Sequence, residues 1–221
     1  DLAEALVPDG TVSYRLDDAL SSFSPPPESG LSARDLYNEA ENFIWANMIT
    51  EAEYVTSVIG RTGMKKPIRE EFRKAVWDAA ERAAQSLREA NAWTRSLAAL
   101  HVARNAASIA DTDRVDHVFI DEVQDLPAVM LASIKACARR SVVLAGDSDQ
   151  AIYQNGFSWK RAGIDIAGRS RILRTNFRNT IQLHDFAERY RKTIPGMDGE
   201  NTSEAFRYGM LPEHTSGKNV E

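Results

Sequence analysis

The sequence predicts an α/β fold in which a parallel sheet follows an all-helical segment. Apolar residues recur at helical spacing from Ser32 to about Ile109, and short apolar runs alternate with helical patterns after Asp111. Strands that alternate with helices are typical of parallel sheets. The chain has 221 residues, of which 43% are hydrophobic and 27% charged, so it can form one large domain or two small ones with a buried core.

The first 110 residues are predicted to hold an irregular lead-in and then a helical subdomain. The lead-in covers residues 1–31, where three consecutive prolines at 25–27 exclude an α-helix. The subdomain covers residues 32–110, and its helices are predicted from start signals that precede apolar stripes. These start signals are Ser32 with Asp35, Thr50 with Glu53, Pro67, and Thr94.

Residues 111–195 are predicted to form the α/β part, and residues 196–221 are predicted to be a tail that leads to a second domain outside the chain. Short apolar runs indicate buried strands, and amphipathic patterns between them indicate helices. The predicted strands are 117–120, 141–145 and 171–173, and the predicted helices are 127–139 and 180–190.

The composition excludes some classes of protein and singles out a basic segment. No apolar run approaches the ~18 residues of a membrane span, and no basic start of a secretory signal is visible. The single cysteine, Cys137, fits a reducing compartment, so we expect a cytoplasmic protein. The net charge is −5, yet residues 135–192 carry 12 basic and 5 acidic side chains. Such a block indicates phosphate or nucleic-acid binding, or else it is a solvated basic face.

Carboxylates follow two of the predicted strands. Asp121 and Glu122 come directly after the first strand, and Asp147 follows the second. Ligands of open α/β sheets gather at the carboxyl ends of strands, where an acid can hold Mg²⁺ and a second acid can polarise water for phosphoryl transfer. The alternative is that these acids cap the next helix, since Asp125 stands just before its predicted start.

Three stretches of the α/β part resemble motifs of superfamily 1 helicases of the UvrD/Rep type. Val118–Asp125 resembles the Walker B segment, Leu144–Tyr153 resembles the third motif, and Leu173–Thr180 resembles the fourth. They occur in the family's order over about sixty residues. The resemblance implies that the α/β part is a portion of a RecA-like P-loop NTPase domain and that the helical part is its insertion.

The resemblance also implies roles in ATP hydrolysis for residues at matching positions. Asp121 would hold the Mg²⁺ of MgATP, and Glu122 would be the general base for the attacking water. Gln150 would sense the γ-phosphate, and Arg178 would stabilise the charge that builds on it in the transition state. Gln124 and the acid after it would tie the strand end to neighbouring motifs.

The residues after the third motif are predicted to bind single-stranded nucleic acid. The family often has an aromatic residue two positions beyond the tyrosine, but this chain has Asn155 there, so Phe157 or Trp159 would supply the stacking. Aromatic side chains among basic ones suit single strands, because stacking does not depend on base sequence. Packing of Trp159 beneath the loop is the alternative. The predicted nucleic-acid-binding residues are Tyr153, Phe157, Trp159, Lys160 and Arg161.

The resemblance implies a fragment of an ATP-dependent DNA helicase or translocase. Such a protein uses ATP and Mg²⁺, moves 3′ to 5′ along single-stranded DNA, unwinds duplex junctions and serves DNA repair. The chain has neither a phosphate loop ending in Gly-Lys-Ser/Thr nor the fifth and sixth motifs, so we expect it to be inactive alone.

Two alternative functions stay open. One is a helicase-like NTPase of a defence or RNA-handling system. The other is a degenerate motor half that acts as a nucleic-acid-binding or regulatory module. A Gly-Lys-Thr loop upstream in the parent gene would favour the motor over the module.

Overall fold

A computed structural model describes residues 11–12, 19–56, 61, 64–146, 161–193 and 204–212. The chain divides into two compact units, 1–165 and 166–221. This division does not coincide with the boundaries expected at 31/32, 110/111 and 195/196, which stay predictions. None of the helices in the described ranges has both the length and the apolar character needed to cross a membrane.

Among the described residues, the helical part of the first unit is built from α-helices and a π-helical turn. The elements are α1 (Ala33–Glu39), the π-helical stretch Ala40–Trp45, α2 (Glu51–Thr56), α3 (Glu70–Glu89) and α4 (Arg95–Arg104). Their buried side chains form one hydrophobic core, at the centre of which lie Leu36, Ile44, Trp45, Val76 and Leu97.

Both predicted capping boxes are confirmed. The Ser32 hydroxyl accepts from the Asp35 N–H at 3.1 Å, and the Asp35 carboxylate accepts from the Ser32 N–H at 2.8 Å. The Thr50 hydroxyl accepts from the Glu53 N–H at 3.3 Å, and the Glu53 carboxylate accepts from the Thr50 N–H at 2.9 Å. Each box satisfies amide donors that the helix itself leaves without partners, which fixes where α1 and α2 begin.

Helix α3 begins three residues later than Pro67, the predicted start. Arg69 has an extended backbone and stands at the N-cap, and Glu70 and Glu71 occupy the first turn. Acidic side chains are favourable at this end of a helix because the helix dipole is positive there. Thr94 stands at the N-cap of α4, as predicted.

Two buried carboxylates cross-link the helical core. Glu39 accepts hydrogen bonds from the Tyr54 hydroxyl at 2.8 Å and from Nε of Arg61 at 2.8 Å. Glu41 accepts from the Thr94 hydroxyl at 2.6 Å and from the Ser96 N–H at 2.8 Å. Burial is the main reason that the pKa of Glu41 is raised. Buried charges need such partners, so these bonds fix how the helices pack.

Part of the predicted irregular lead-in is packed into this core. Phe23 is buried, and its ring lies edge-on to the Tyr37 ring with the centroids 5.3 Å apart. Strand β1 (Thr11–Val12) pairs in parallel with β2 (Ala92–Trp93). The lead-in is therefore irregular only in part, because its aromatic and strand residues find partners far along the chain.

The α/β portion of the first unit consists of β3 (Val115–Ile120), α5 (Ala128–Ala136) and β4 (Ala138–Leu144). β3 and β4 are parallel, with Ile120 opposite Leu144. The prediction of helix over 127–139 is wrong at its end, where β4 begins at Ala138. The carbonyl of Cys137 accepts from the Val115 N–H at 2.9 Å, so pairing with β3 ends the helix.

The prediction that β3 is a buried strand is also wrong for one of its faces. Ile120 is buried against Val123 and Leu131, whereas Phe119 is 76% exposed and Val115 and Val143 are nearly half exposed. Side chains alternate between the two faces of a strand, and α5 lies on only one of them. Among the described residues the other face has no covering element.

The second unit contains β5 (Thr175–Thr180), α6 (Ile181–Arg191) and β6 (Glu204–Arg207). β5 pairs in parallel with β6, whereas the predicted strand at 171–173 is not formed and Leu173 is 90% exposed. The Thr180 hydroxyl caps α6 by accepting from the Leu183 N–H at 3.3 Å. The described strands form three separate parallel pairs, which agrees with an α/β fold.

Candidate functional site

Asp121 and Glu122 stand at the carboxyl end of β3, as predicted. Both side chains are exposed, and the Asp121 carboxylate accepts from the Glu122 N–H at 2.9 Å. Glu122 has φ +51°, a left-handed conformation that a non-glycine residue rarely adopts. Unfavourable backbone conformations of this kind cluster at functional sites, where the surrounding structure holds them in place. The strained turn projects both carboxylates from the tip of the strand.

The buried side chain of Gln124 holds the Glu122 carboxylate through a hydrogen bond. This side chain is 8% exposed, and its Nε2 donates to Glu122 Oε2 at 2.5 Å. The strand ends are cross-linked beneath it, because the Ala145 N–H donates to the Ile120 carbonyl at 2.8 Å and the Val123 N–H donates to the Ala145 carbonyl at 3.0 Å. The orientation of Glu122 is therefore fixed from β4 as well as from β3.

Gly146 allows the end of β4 to come this close. A Cβ atom at this position would lie 2.4 Å from Gln124 Oε1 and 2.7 Å from Val123 Cγ1. Real Cβ atoms do not approach other atoms so closely, so a glycine is required if Gln124 is to keep its place. The sequence did not single out Gly146 for this role, since the neighbours that crowd it lie more than twenty residues earlier.

The alternative that these acids cap the following helix is wrong for α5. Its N-cap is Pro127, which has no side-chain capping bond, and Asp125 lies in a separate 3₁₀ turn, Val123–Asp125. Asp125 is exposed. Asp121, Glu122 and Asp125 are therefore all exposed to solvent at this strand end, and none of them caps α5.

Two exposed carboxylates are suitable ligands for a hard divalent cation such as Mg²⁺, which binds oxygen and retains several waters. The described residues contain no cluster of three or more histidine, cysteine, aspartate or glutamate side chains that could hold a metal ion. Asp121 and Glu122 alone therefore fit a cation whose remaining ligands come from water and phosphate oxygens, which is how Mg²⁺ binds with a nucleotide.

Several predicted site residues fall outside this assembly. Asp147 and Gln150 lie outside the described residues, as do Tyr153, Phe157, Trp159 and Lys160. Arg178 lies in β5 of the second unit, where it is exposed and its N–H donates to Asn176 Oδ1 at 3.0 Å. The structure thus brings together Asp121, Glu122 and Gln124.

Arg161 forms a two-pronged ion pair with Glu53 of α2. Its Nη2 lies 2.7 Å from Oε1, and its Nη1 donates to Oε2 at 3.2 Å. The hydrogen bond from Arg161, followed by those from Thr50, lowers the pKa of Glu53 to about 2. The sequence identified Glu53 only as a capping residue, because nothing local marks a partner 108 positions away.

Other members of the basic segment also have partners. Arg139 pairs with Asp116 at 2.7 Å and with Asp111 at 3.3 Å, and Lys135 donates to the Gly163 carbonyl. Arg191 pairs with its neighbour on α6 three residues earlier. Part of the positive charge of residues 135–192 is therefore balanced within the chain, so charge alone does not locate a nucleic-acid surface.

The comparison with protein families agrees with the predicted resemblance. The family model described as the UvrD/REP helicase N-terminal domain matches residues 39–169, more than half of the chain. The match includes most of the helical core from the end of α1 onward, both strand ends of the candidate site and the Arg161 segment, and it stops before β5. No curated protein matches the chain.

Proposed function

The chain belongs to the UvrD/Rep helicase family, and from this premise we propose that it is part of the motor of an ATP-dependent DNA helicase or translocase. The family gives the chain a helicase-type function. The proposal adds a RecA-like architecture, coupling of MgATP hydrolysis to movement along single-stranded DNA, and unwinding of duplex junctions. Movement from 3′ to 5′, a cytoplasmic location and a place in DNA repair are part of the same proposal.

The observation that carries the proposal is the Glu122 carboxylate, held at the tip of β3 by the bond from Gln124. A general base for hydrolysis must be exposed to water and fixed in orientation, and Glu122 meets both conditions. Asp121 is proposed to hold Mg²⁺, which would supply charge neutralisation at the phosphates. Gln124 is proposed to keep the Glu122 carboxylate pointed at the attacking water.

Further groups are proposed to complete the two binding surfaces. Gln150 and Arg178 are proposed to contact the γ-phosphate, and an always-charged, planar guanidinium suits that task. The nucleic-acid surface is proposed to consist of three aromatic side chains followed by two basic ones: Tyr153, Phe157, Trp159, Lys160 and Arg161. The amides and lysine of a phosphate loop must come from elsewhere, so we propose that this chain alone hydrolyses no ATP.

The test uses the longer protein, with its phosphate loop, and the substitution Glu122→Gln. The variant should keep its nucleotide affinity and lose about 10²- to 10⁴-fold in turnover, since that is what a general base contributes. The assay is nucleic-acid-stimulated phosphate release. Asp113→Asn, an exposed acid in the 3₁₀ turn that precedes the same strand, is the matched control and should behave as wild type. Turnover near wild type in Glu122→Gln would refute the role of this residue.

A further inference from the structure

Residues 161–163 are held at three consecutive points on the first unit. The guanidinium of Arg161 is bound by Glu53, as described above. Ala162 is buried with Ile120 and Leu131 in the small core between the sheet and α5. The Gly163 carbonyl accepts from the Nζ atom of Lys135 on α5. Segments outside regular secondary structure are more mobile than helices and strands, so three consecutive attachments make residues 161–163 an anchor.

The Glu53 side chain is also held by hydrogen bonds that do not involve Arg161. Its Oε2 accepts from both the N–H and the hydroxyl of Thr50 at 2.9 Å, which are bonds of the capping box of α2. The Glu53 side chain therefore loses little further conformational entropy when it binds the guanidinium. A planar guanidinium bound through two nitrogens is also held in one orientation, which a single bond does not achieve.

The stretch 147–160 starts and ends at residues whose surroundings are known. It starts after Gly146, which is packed against Gln124, and Gln124 in turn holds Glu122. It ends at Arg161, which is attached to α2. Along the chain, the stretch connects the candidate nucleotide-hydrolysis residues to the helical part of the same unit.

We propose that Glu53 is a positioning residue for nucleic-acid binding: its ion pair with Arg161 fixes the C-terminal end of the stretch 147–160 on helix α2. This inference rests on the proposed nucleic-acid surface in that stretch. It changes the role of Arg161 from a direct phosphate contact to an anchor. Glu53 itself touches neither nucleotide nor nucleic acid.

The experiment measures binding of a fluorescent oligothymidylate to the 221-residue chain by anisotropy at one low salt concentration. Glu53→Gln keeps an oxygen for the Thr50 bonds but removes the ion pair, and Arg161→Glu removes the pair from the other side. Each should weaken binding about two- to fivefold, the scale of a partly exposed ion pair.

Asp35→Asn is the matched control. Asp35 is also a capping-box acid and pairs with a lysine, Lys66, at 3.1 Å, but it lies on α1. Its substitution should leave oligonucleotide affinity unchanged. Equal weakening by Asp35→Asn would show that any loss of a capping acid acts through general stability, and it would overturn the proposal.

A direct contact between Arg161 and a nucleic-acid phosphate would give a different result. A direct phosphate contact predicts that Glu53→Gln leaves binding unchanged or tightens it, since it releases the guanidinium. Unchanged or tighter binding in Glu53→Gln would overturn the anchor.

Failure of the proposed nucleic-acid binding would be seen in the wild-type chain itself. Wild-type chain that binds no oligothymidylate would refute the nucleic-acid surface in this chain. The anchor is then tested by hydrogen exchange of the peptide that contains residues 161–164, which should exchange faster in Glu53→Gln. Unchanged exchange there would refute the anchor as well.

Discussion

Replacement of Gly146 by alanine tests whether the end of β4 fixes the position of Glu122. The new Cβ would overlap Gln124 Oε1 and Val123 Cγ1, at 2.4 Å and 2.7 Å. Gln124 is buried, so it can move aside only by giving up its bond to Glu122 or by pushing the 3₁₀ turn away from β4. The backbone N–H of Val123 lies 3.3 Å from the new atom, which limits the second route.

The expected loss of stability has two sources, the steric overlap of the new methyl group and the loss of the hydrogen bond between Gln124 and Glu122. Overpacking by one methyl group costs about 1–3 kcal/mol. Loss of a hydrogen bond to a charged group costs about 1.5–3 kcal/mol, and the lower end applies because Glu122 is exposed. The two terms are not additive, since a shift that relieves the clash is the same shift that breaks the bond. We expect a fall of about 2–3 kcal/mol in the free energy of unfolding, or roughly 4–12 °C in melting temperature for a domain of this size.

Urea unfolding followed by circular dichroism measures this cost in two backgrounds. In the Gln124→Ala background the shortest overlap disappears and only the Val123 overlap stays, so Gly146→Ala should cost about 1 kcal/mol less there than in wild type. In the longer protein, Gly146→Ala should also lower ATP turnover, because Glu122 loses its support. Equal costs in both backgrounds, or a cost below about 0.5 kcal/mol in wild type, would refute the described packing.

Three further predictions concern other parts of the chain. Tyr54→Phe removes a donor from the buried Glu39 carboxylate and should lower the free energy of unfolding by about 1–3 kcal/mol in urea titrations; a change within experimental error would contradict the cross-link. The pKa of Glu53 is lowered from 4.5 to about 2, so its share of stability is present above pH 4.5 and is lost as the pH falls towards 2. Glu53→Gln should therefore have a flatter acid unfolding profile, and a profile parallel to wild type would count against the ion pair. The 221-residue chain should show no saturable ATP binding in the micromolar range by calorimetry, and clear micromolar binding would reveal a phosphate site that the candidate residues do not explain.

The elements that the sequence predicted best are those with local start signals. Both capping boxes and the N-cap threonines of α4 and α6 need only a few neighbouring residues, so they can be identified from spacing alone. The acids at the end of β3 were found for a similar reason, because an apolar run followed by carboxylates is a local pattern. The two capping boxes and the Thr180 cap are hydrogen bonds between residues three positions apart, so the spacing in the sequence is enough to predict them.

The failures depend on partners that are distant in sequence. The end of α5 was missed because Ala138 continues the helical pattern but pairs with Val115 of β3. The strand expected at 171–173 has apolar residues but no partner among the described strands, whereas β5 begins at Thr175, where β6 is available. Glu53 and Arg161 meet across 108 positions, and no local signal announces such a pair. Tertiary pairing overrides local preference in each case.

The uncovered face of β3 and β4 has a consequence for how the isolated chain behaves in solution. Phe119, Val115 and Val143 present an apolar surface on a two-stranded sheet whose outer edges have no paired strand among the described residues. An exposed apolar face of this kind favours self-association and aggregation. The apparent melting temperature of the chain will therefore depend on protein concentration, and dilute samples will report the properties of the monomer most faithfully.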